Sequence, residues 1–343
     1  MKPDVDVSVI ISTHNRAHYL DDALVALAAQ DCRSPFEVIV IDNASSDNTA
    51  AVLESWCRRD ARFRTDYEGR PGLSYGKNAG IRLARAPLLL FTDDDTLTDP
   101  HWVSAYLELF ARHGTASIIA GGLQIPVPHD LQPWPVWFTE TAIENVALLD
   151  HGKERPLAPS EYVWGANMAV PRHMFQEFGG WDEQIGRKGH ARGTYEDTEF
   201  QDRVRSAGIT VWFCPQASIQ HRVARETLTP RRIFAAAFSR GRHQLWKQSQ
   251  VSSPEVEALT MRPVFQVLFM LAKSMLQWAF WVMAFRLVRR KMIFERARRA
   301  AYCSGRALET LHLGGSSLRI CEVVFRLVVG WRSFLLRLSS DSV

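Results

Sequence analysis

The sequence has little cysteine and lacks the common short motifs of nucleotide and zinc chemistry. Its five cysteines are scattered, with no CxxC pair and no Cys/His spacing typical of a zinc site. This pattern predicts reduced, mostly buried thiols in a cytosolic protein. Walker A, HExxH and GxGxxG patterns are absent as well, which disfavours P-loop, zinc-protease and dinucleotide-binding sites.

Other classes are excluded by composition. The 343 residues are 46% hydrophobic and 23% charged, which excludes disordered, collagen-like and low-complexity proteins. The apolar run that follows Asp6 is strand-like in composition and too short for a signal peptide. We therefore predict a globular, cytoplasmic protein of one large domain or two.

Charge is distributed unevenly along the chain, although the net charge is only +4. Residues 1–221 contain 20 lysines and arginines against 30 aspartates and glutamates, a sum of −10. Residues 222–343 contain 21 against 7, a sum of +14. A reversal of this size indicates two parts with different partners.

Short apolar runs alternate with helix-like stretches in the first 115 residues. The runs are continuous, as in strands that are covered on both faces of a sheet. The alternation predicts an α/β fold with a mostly parallel sheet and flanking helices. The predicted strands are Val7–Ser12, Phe36–Ile41, Pro87–Phe91, Ser117–Ala120 and Ile209–Phe213. The predicted helices are Arg16–Gln30, Asn48–Arg58, Tyr75–Arg85, Pro100–Arg112 and Asp197–Ser206, and residues 123–165 read as an aromatic, proline-rich loop region.

Polar residues follow four of the predicted strands. Residues 12–16 follow the first strand, residues 42–47 the second, and Asp93–Asp95 the third, while His221 comes after the last. Ligands of parallel sheets bind beyond the carboxyl ends of the strands. We therefore expect these residues to meet on one rim of the sheet.

The three adjacent carboxylates of Asp93, Asp94 and Asp95 are costly at a strand end. Like charges this close raise one another's pKa unless a cation is present. Magnesium is typically bound by one or two carboxylates together with substrate phosphates. The triplet therefore predicts a divalent metal held against a diphosphate, with a solvated acidic turn before Pro100 as the alternative.

A second acidic cluster follows a Gly-Gly turn. Gly179 and Gly180 precede Trp181, and Glu196 and Asp197 would open a helix. Acidic residues in the first turn of a helix interact favourably with the helix dipole, which is a purely structural explanation. A carboxylate at a cleft edge is also the usual general base for a sugar hydroxyl. Both explanations stay open at this point.

Together these motifs resemble inverting family 2 glycosyltransferases of the GT-A fold. The matching segments occur in the family's order and at its usual spacing, and they cover about residues 5–223. They are Val9–Arg16, Ile41–Thr49, Gly72–Ile81, Thr92–Asp95, Gly179–Glu183 and Glu196–Asp197. The resemblance implies a GT-A catalytic domain over residues 1–225. Beyond it, the residue pattern and the positive charge predict a helical, basic region over residues 226–343.

The resemblance also implies a role for each matched polar residue. Nucleotide-sugar binding is implied for Thr13, Asn15, Arg16, Asp42, Lys77, Asn78, Asp93 and Asp94. Binding of Mn²⁺ or Mg²⁺ is implied for Asp93, Asp95 and His221. Asp197 is the implied catalytic base, with Glu196 as the alternative, because adjacent carboxylates cannot be ranked from sequence.

The implied reaction moves a sugar from a nucleotide-sugar donor, expected to be a UDP-sugar, to a hydroxyl of a glycan or lipid-linked glycan. Surface polysaccharide synthesis is the expected setting. Trp164, Trp181 and the pair Trp134 and Trp137 are candidates for stacking on sugar rings, and equally for core positions. No motif identifies the acceptor.

Two other functions are compatible with parts of the sequence. Gly72–Gly76 reads GxSxG, the nucleophile elbow of α/β-hydrolases, with Ser74 as the nucleophile. The elbow needs a strand directly before it, whereas residues 67–71 are charged and end in proline. A membrane-docked scaffold that keeps the fold without catalysis is the second alternative.

The basic C-terminal region contains two amphipathic stretches, residues 263–285 and 317–338. Lys273 lies near the centre of the first, where a membrane-buried lysine would cost about 2.5–3.5 kcal/mol. We therefore predict peripheral attachment to an anionic membrane, at the cytoplasmic face of the inner membrane, ahead of a membrane span or an oligomer-forming subdomain. Nucleic acid is not expected as a partner, because the basic residues are interleaved with aliphatic faces.

Overall fold

The computed structural model describes residues 5–129, 134, 148–184, 196–224, 228–229, 233–234, 237, 264–288, 295–304 and 306. Contacts divide the chain into two units. The first comprises Met1–Val127 and Ala147–Arg222, and the second comprises Pro128–Val146 and Val223–Val343. The domain boundary at residues 225/226, drawn from charge and motifs, stays a prediction.

Strands and helices alternate through the first unit. The strands are β1 (Val7–Thr13), β2 (Phe36–Asp42), β3 (Phe63–Tyr67), β4 (Leu88–Thr92), β5 (Thr96–Thr98), β6 (Ile118–Pro128), β7 (Arg155–Pro156), β8 (Asn167–Pro171) and β9 (Thr210–Val223). The helices are α1 (Ala17–Ala28), α2 (Thr49–Arg59), α3 (Leu73–Leu83), α4 (Trp102–His113), α5 (Arg172–Phe178) and α6 (Glu196–Ser206). In the second unit lie α7 (Val264–Val288) and α8 (residues 295–304).

The sheet has the order β3-β2-β1-β4-β8-β6-β9-β5, with β7 paired to β9. The four strands from β3 to β4 are parallel, while β8 pairs antiparallel with both β4 and β6. The mostly parallel sheet with flanking helices is thereby confirmed, and antiparallel strands extend it on one side.

Side chains of the strands alternate between two cores, one on each face of the sheet. Within β2, Phe36, Val38 and Val40 face the core that α1, α2 and α4 cover. Ile39 and Ile41 face the core that α3, α5 and α6 cover. Burial on both faces explains why these strands are continuous apolar runs in the sequence.

Four short strands were not predicted, among them the two-residue β7, and two predicted strands end too early. β3 is mostly polar, β5 has three residues, and β8 has five, so none forms an apolar run of recognisable length. β6 was expected to end at Ala120 but runs to Pro128, into the predicted loop region. The last strand was expected to end at Phe213, but it continues through Pro215 to Val223. His221 therefore lies inside β9, opposite Thr96 of β5, and does not follow the strand.

The expectation of mostly buried thiols is also wrong for the described cysteines. Cys214 is buried, Cys32 and Cys57 are half-buried, and Cys303 is exposed. All four are free thiols. Cys303 lies on α8, whose buried positions are held by alanine and serine.

In the second unit, α7 has one buried face and one exposed face. Leu271, Ser274, Met275, Trp278 and Val282 are buried, and Ser304 of α8 donates a hydrogen bond to the Ser274 hydroxyl at 3.2 Å. Among the described helices, none combines the length and apolarity needed to cross a bilayer. The second amphipathic stretch, residues 317–338, lies outside the described residues.

Candidate active site

The acidic triplet lies in the turn that joins β4 to β5. Asp93 is half-buried, whereas Asp94 and Asp95 are buried. The turn is held by Thr96, whose hydroxyl donates to the Asp93 carbonyl at 2.8 Å and lies 2.7 Å from the Thr92 hydroxyl. The predicted position beyond a strand end is therefore correct, and the local hydrogen bonds orient the three carboxylates.

Arg16 and Thr13 bind the two buried carboxylates of the triplet. The Thr13 hydroxyl donates to Asp94 at 2.7 Å, and the Arg16 guanidinium donates to Asp94 at 2.8 Å and also to Asp95. Burial raises the pKa of Asp94, and the adjacent Arg16 charge opposes that rise. Two residues expected at the nucleotide thus contact the acidic triplet directly.

His221 completes a group of side chains that fits a divalent cation. One ligand atom from each of Asp93, Asp95 and His221 lies within 4.8 Å of the others. The His221 ring nitrogen Nε2 is 3.4 Å from Asp95 Oδ1, and the Arg222 amide donates to the Asp95 carbonyl at 2.8 Å. Two carboxylates and an imidazole are a donor set that Mn²⁺ or Mg²⁺ accepts. Strand β9 brings His221 to the triplet.

The ends of β1 and β2 form a network of loops beside the triplet. Asp42 accepts the Ser45 amide at 2.9 Å. Asn15 has a left-handed backbone, φ +53°, and its side-chain oxygen accepts the Ser46 amide at 2.7 Å. Both side chains therefore hold the backbone of the loop that follows β2.

Asn43 is a structural residue of this rim that the sequence reasoning did not assign. Its amide nitrogen donates to the carbonyls of Glu68 and Arg70, at 3.2 and 2.7 Å, and its oxygen accepts the Gly72 amide at 2.7 Å. It joins the β3–α3 loop to the end of β2. Its place directly after an apolar strand was the available signal.

The second acidic cluster lies at the start of α6, where Asp197 binds two backbone amides. Its carboxylate accepts the Gly165 amide at 3.0 Å and the Thr198 amide at 2.8 Å. Burial raises the pKa of Asp197, the Glu196 charge raises it further, and the Lys77 charge lowers it. The net effect raises the pKa of Asp197 to about 6, the direction that suits a general base.

Lys77 and Asn78 of α3 lie against this second cluster. Lys77 is 2% exposed, and its Nζ lies 3.6 Å from Glu196 Oε1. Asn78 donates to the Trp181 carbonyl and accepts the Trp181 amide, both at 2.9 Å. A Cβ at Gly180 would lie 2.5 Å from the Asn78 oxygen, so this position requires glycine. The structure brings α3, the Gly-Gly turn and α6 together.

The aromatic candidates differ in their surroundings. Trp181 is 2% exposed, and its ring packs against Phe91, Phe175 and Phe200, which favours the core interpretation. Trp164 is half-buried at the entrance to β8. Trp134 is half-buried as well, and Trp137 lies outside the described residues.

Ser74 lies in the first turn of α3 and is 1% exposed. The preceding strand β3 ends at Tyr67, and residues 68–72 separate the two elements. A nucleophile elbow presents its serine on a sharp turn directly after a strand. The arrangement at Ser74 is different, which disfavours the hydrolase.

The two acidic clusters lie at the same end of one strand pair. β4 and β8 run antiparallel, with Thr92 at the end of β4 opposite Asn167 at the start of β8. Asp93, which follows β4, and Gly165 and Ala166, which precede β8, therefore lie at the same end of this strand pair. The Gly165 amide binds Asp197, and Asp93 belongs to the group of side chains that could hold a cation. The α/β sheet thus presents two groups of carboxylates on one rim.

The comparisons with known proteins agree with this architecture. Residues 8–173 match the model of the family described as glycosyl transferase family 2. The resemblance to family 2 glycosyltransferases that the motifs predict is thereby confirmed over this part of the chain.

Individual relatives and structures are more distant. The chain is 31% identical over 227 residues to a validoxylamine A glucosyltransferase of Streptomyces hygroscopicus subsp. jinggangensis, covering 59% of this chain and 52% of that protein. It is 22% identical over 220 residues to a glucosyl-dolichyl phosphate glucuronosyltransferase of Haloferax volcanii, covering 63% and 69%. The chain spans about half the length of the validoxylamine A glucosyltransferases that it matches.

Among solved structures, the chain is similar in fold to the mannosyltransferase PcManGT of Pyrobaculum calidifontis, which was determined with GDP-Man and Mn²⁺. The TM-score is 0.53 at 16% identity, over 99% of this chain and 86% of that one. The expected GT-A type of fold is confirmed.

Proposed function

We propose that the chain transfers a sugar from a nucleotide-sugar donor, a UDP-sugar, to a hydroxyl of a glycan or lipid-linked glycan, with inversion at the anomeric carbon. The observation that carries this proposal is the pairing of two different acidic groups on one rim. One group fits a divalent cation, and the other contains a carboxylate with a raised pKa. These are the two groups that metal-assisted sugar transfer requires.

The reaction step follows from Asp197. Its carboxylate takes the proton of the acceptor hydroxyl as the hydroxyl oxygen forms a bond to the anomeric carbon. The bond from that carbon to the diphosphate oxygen breaks, and its electron pair leaves with the nucleoside diphosphate. Asp93, Asp95 and His221 would hold Mn²⁺ or Mg²⁺, which supplies charge neutralisation to the diphosphate.

Three observations support the nucleotide and acceptor parts of the proposal. Thr13, Asn15, Arg16 and Asp42 lie at the ends of β1 and β2, at the rim where sheets of this kind bind nucleotides. PcManGT and a Staphylococcus aureus TarS fragment have structures with GDP-Man and UDP-GlcNAc respectively. The Haloferax relative is named for a lipid-linked acceptor.

Release of nucleoside diphosphate from a panel of nucleotide sugars, with and without Mn²⁺, tests this function. We expect release with at least one UDP-sugar that depends on Mn²⁺ and on an added acceptor. A chain that neither binds nor turns over any donor would instead be the catalytically inactive scaffold.

Manganese is expected to raise the melting temperature of the protein, and replacing Asp95 by asparagine is expected to remove this increment. A ligand that binds only the folded state stabilises it by about 2.7 kcal/mol at a concentration 100 times its Kd. Thermal melts over a Mn²⁺ titration measure the effect. Asp31→Asn is the matched control, because the Asp31 side chain is 77% exposed and does not belong to the ligand group. Equal increments in both variants would exclude the proposed metal site.

The second unit is proposed to dock on an anionic membrane, at the cytoplasmic face of the inner membrane. The exposed face of α7 carries Leu276, Phe280 and Met283, which are 64%, 61% and 57% exposed. The chain following α7 is rich in arginine, and residues 222–343 carry a sum of +14. Apolar side chains beside basic residues are the combination that binds anionic lipid surfaces.

Replacing Phe280 by glutamate is expected to weaken binding to vesicles that contain phosphatidylglycerol by at least about tenfold, because the variant lacks an aromatic side chain to bury in the lipid surface. Co-sedimentation with vesicles measures this. Val25→Glu in the first unit, where Val25 is 49% exposed, is the control and should bind as the wild type does. Unchanged binding of the Phe280 variant, or equal binding to pure phosphatidylcholine, would contradict the proposal.

A further inference from the structure

We propose that Lys77 is a positioning residue for the carboxylates of Glu196 and Asp197, and not a ligand of the nucleotide. Its ammonium keeps the two carboxylates together and charged at the start of α6. The inference rests on the proposed function of Asp197 as the base. The motif resemblance implied only nucleotide-sugar binding for Lys77.

The geometry around Lys77 leaves its ammonium directed at the second acidic cluster. Its side chain is 3% exposed, as is that of Glu196, and the two charged groups are 3.6 Å apart. The Lys77 ammonium lies 5.2 Å from the centre of the Trp181 ring, and this ring faces the core. A Cβ at Gly165 would come within 2.6 Å of Lys77 Nζ. The ammonium thus lies among Glu196, the Trp181 ring and Gly165, whose amide binds Asp197.

Asn78 maintains this position of Lys77 from the next position on α3. Its side-chain amide is bound at both ends to the backbone of Trp181, and its nitrogen also lies 3.2 Å from Glu183 Oε1. These bonds attach α3 to the Gly-Gly turn. Since Asn78 is held by this turn, the part of α3 that carries Lys77 is held too, and Lys77 itself reaches α6 at Glu196.

Among the described residues, two charged side chains act on Asp197, and Lys77 is the positive one. Glu196 faces Asp197 from the same helix turn, Lys77 from α3, and the amides of Gly165 and Thr198 bind its carboxylate. The Glu196 oxygen Oε2 has no hydrogen-bond partner among the described residues, so Lys77 is the compensating cation for a buried carboxylate. Without it, two negative charges would share one buried site.

The pH dependence of turnover in Lys77→Met tests the inference, because methionine keeps the shape and removes the charge. We expect the acid limb of kcat/KM to move up by about one pH unit, since the opposing charge on Asp197 is lost. In the double variant Lys77→Met/Glu196→Gln the acid limb should return toward its wild-type pH, because the Glu196 charge that raises the pKa of Asp197 is also removed. Affinity for UDP with Mn²⁺ should change less than threefold. A tenfold loss of UDP affinity with an unmoved acid limb would show that Lys77 is a nucleotide ligand instead.

A stability cycle tests the ion pair independently of turnover. Lys77→Met should lower the melting temperature by about 5–10 °C, because a buried carboxylate loses its partner. Adding Glu196→Gln should recover more than half of that loss. Lys153→Met is the control for a surface lysine and should leave the melting temperature unchanged. If the losses in melting temperature of the two single variants simply add in the double variant, Lys77 and Glu196 are not paired. If the losses are coupled but no variant, nor the wild type, turns over a donor, the pairing stands and only the proposed function is rejected.

Discussion

Replacement of Asp197 by asparagine is expected to reduce sugar transfer at least about 100-fold while leaving the affinity for nucleoside diphosphate unchanged. General-base catalysis contributes about 10²- to 10⁴-fold to such reactions. Asparagine has nearly the same shape, and its oxygen can still accept the Gly165 or Thr198 amide. It cannot take a proton from the acceptor hydroxyl. The loss should therefore appear in kcat and not in donor binding.

Steady-state release of nucleoside diphosphate and calorimetric binding of UDP with Mn²⁺ measure the two quantities separately. Glu199→Gln is the matched control, because Glu199 lies in the same helix turn but pairs with Arg203 at 2.5 Å. We expect that variant to keep most of the activity. Full activity of Asp197→Asn, together with a 100-fold loss in Glu196→Gln, would transfer the role of base to Glu196.

Replacement of Asn167 by leucine is expected to lower the free energy of unfolding by at least about 4 kcal/mol. The Asn167 oxygen accepts the Trp102 ring N–H at 2.8 Å and the Tyr106 hydroxyl at 2.7 Å. Its nitrogen donates to the carbonyls of Leu123 and Ala217 at 2.9 and 2.8 Å. Asn167 is fully buried, and leucine removes its side-chain bonds to all four partners, of which the Tyr106 hydroxyl keeps the residue 167 carbonyl at 3.2 Å. Each group left unsatisfied costs about 1–3 kcal/mol.

This change matters for the site, because Asn167 is opposite Thr92 at the end of β4 and joins α4, β6 and β9 around it. Urea denaturation of the wild type and the variant measures the difference. Asn48→Leu is the control: Asn48 is exposed and makes no side-chain capping bond to α2, so its effect should stay within about 0.5 kcal/mol. A loss below 1 kcal/mol for Asn167→Leu would contradict the role of this network.

Much of the parallel half of the fold is predictable from the sequence, and the physical reason is burial on both faces. Strands β1, β2 and β4 and helices α1 to α4 are local patterns: apolar runs of strand length between amphipathic stretches. β8 was missed because its five residues form no such run before Pro171. β9 extends past its predicted end at Phe213, because the less apolar residues from Pro215 to Val223 continue the same strand.

The sequence alone determined the family, the α/β class and the two groups of acidic residues, because these depend on residue types and on local spacing. The tertiary structure decided how those residues are used. Only long-range packing brings His221 of β9 to Asp95, directs Arg16 to the acidic triplet, and encloses Lys77 beside Glu196. These contacts join residues 78 to 126 positions apart in the chain, and a local pattern holds no information on which distant charge compensates which. The opposite charges of the two parts of the chain were likewise predictable from the sequence. Which face of α7 is exposed was not, because it depends on the packing of the other face against α8.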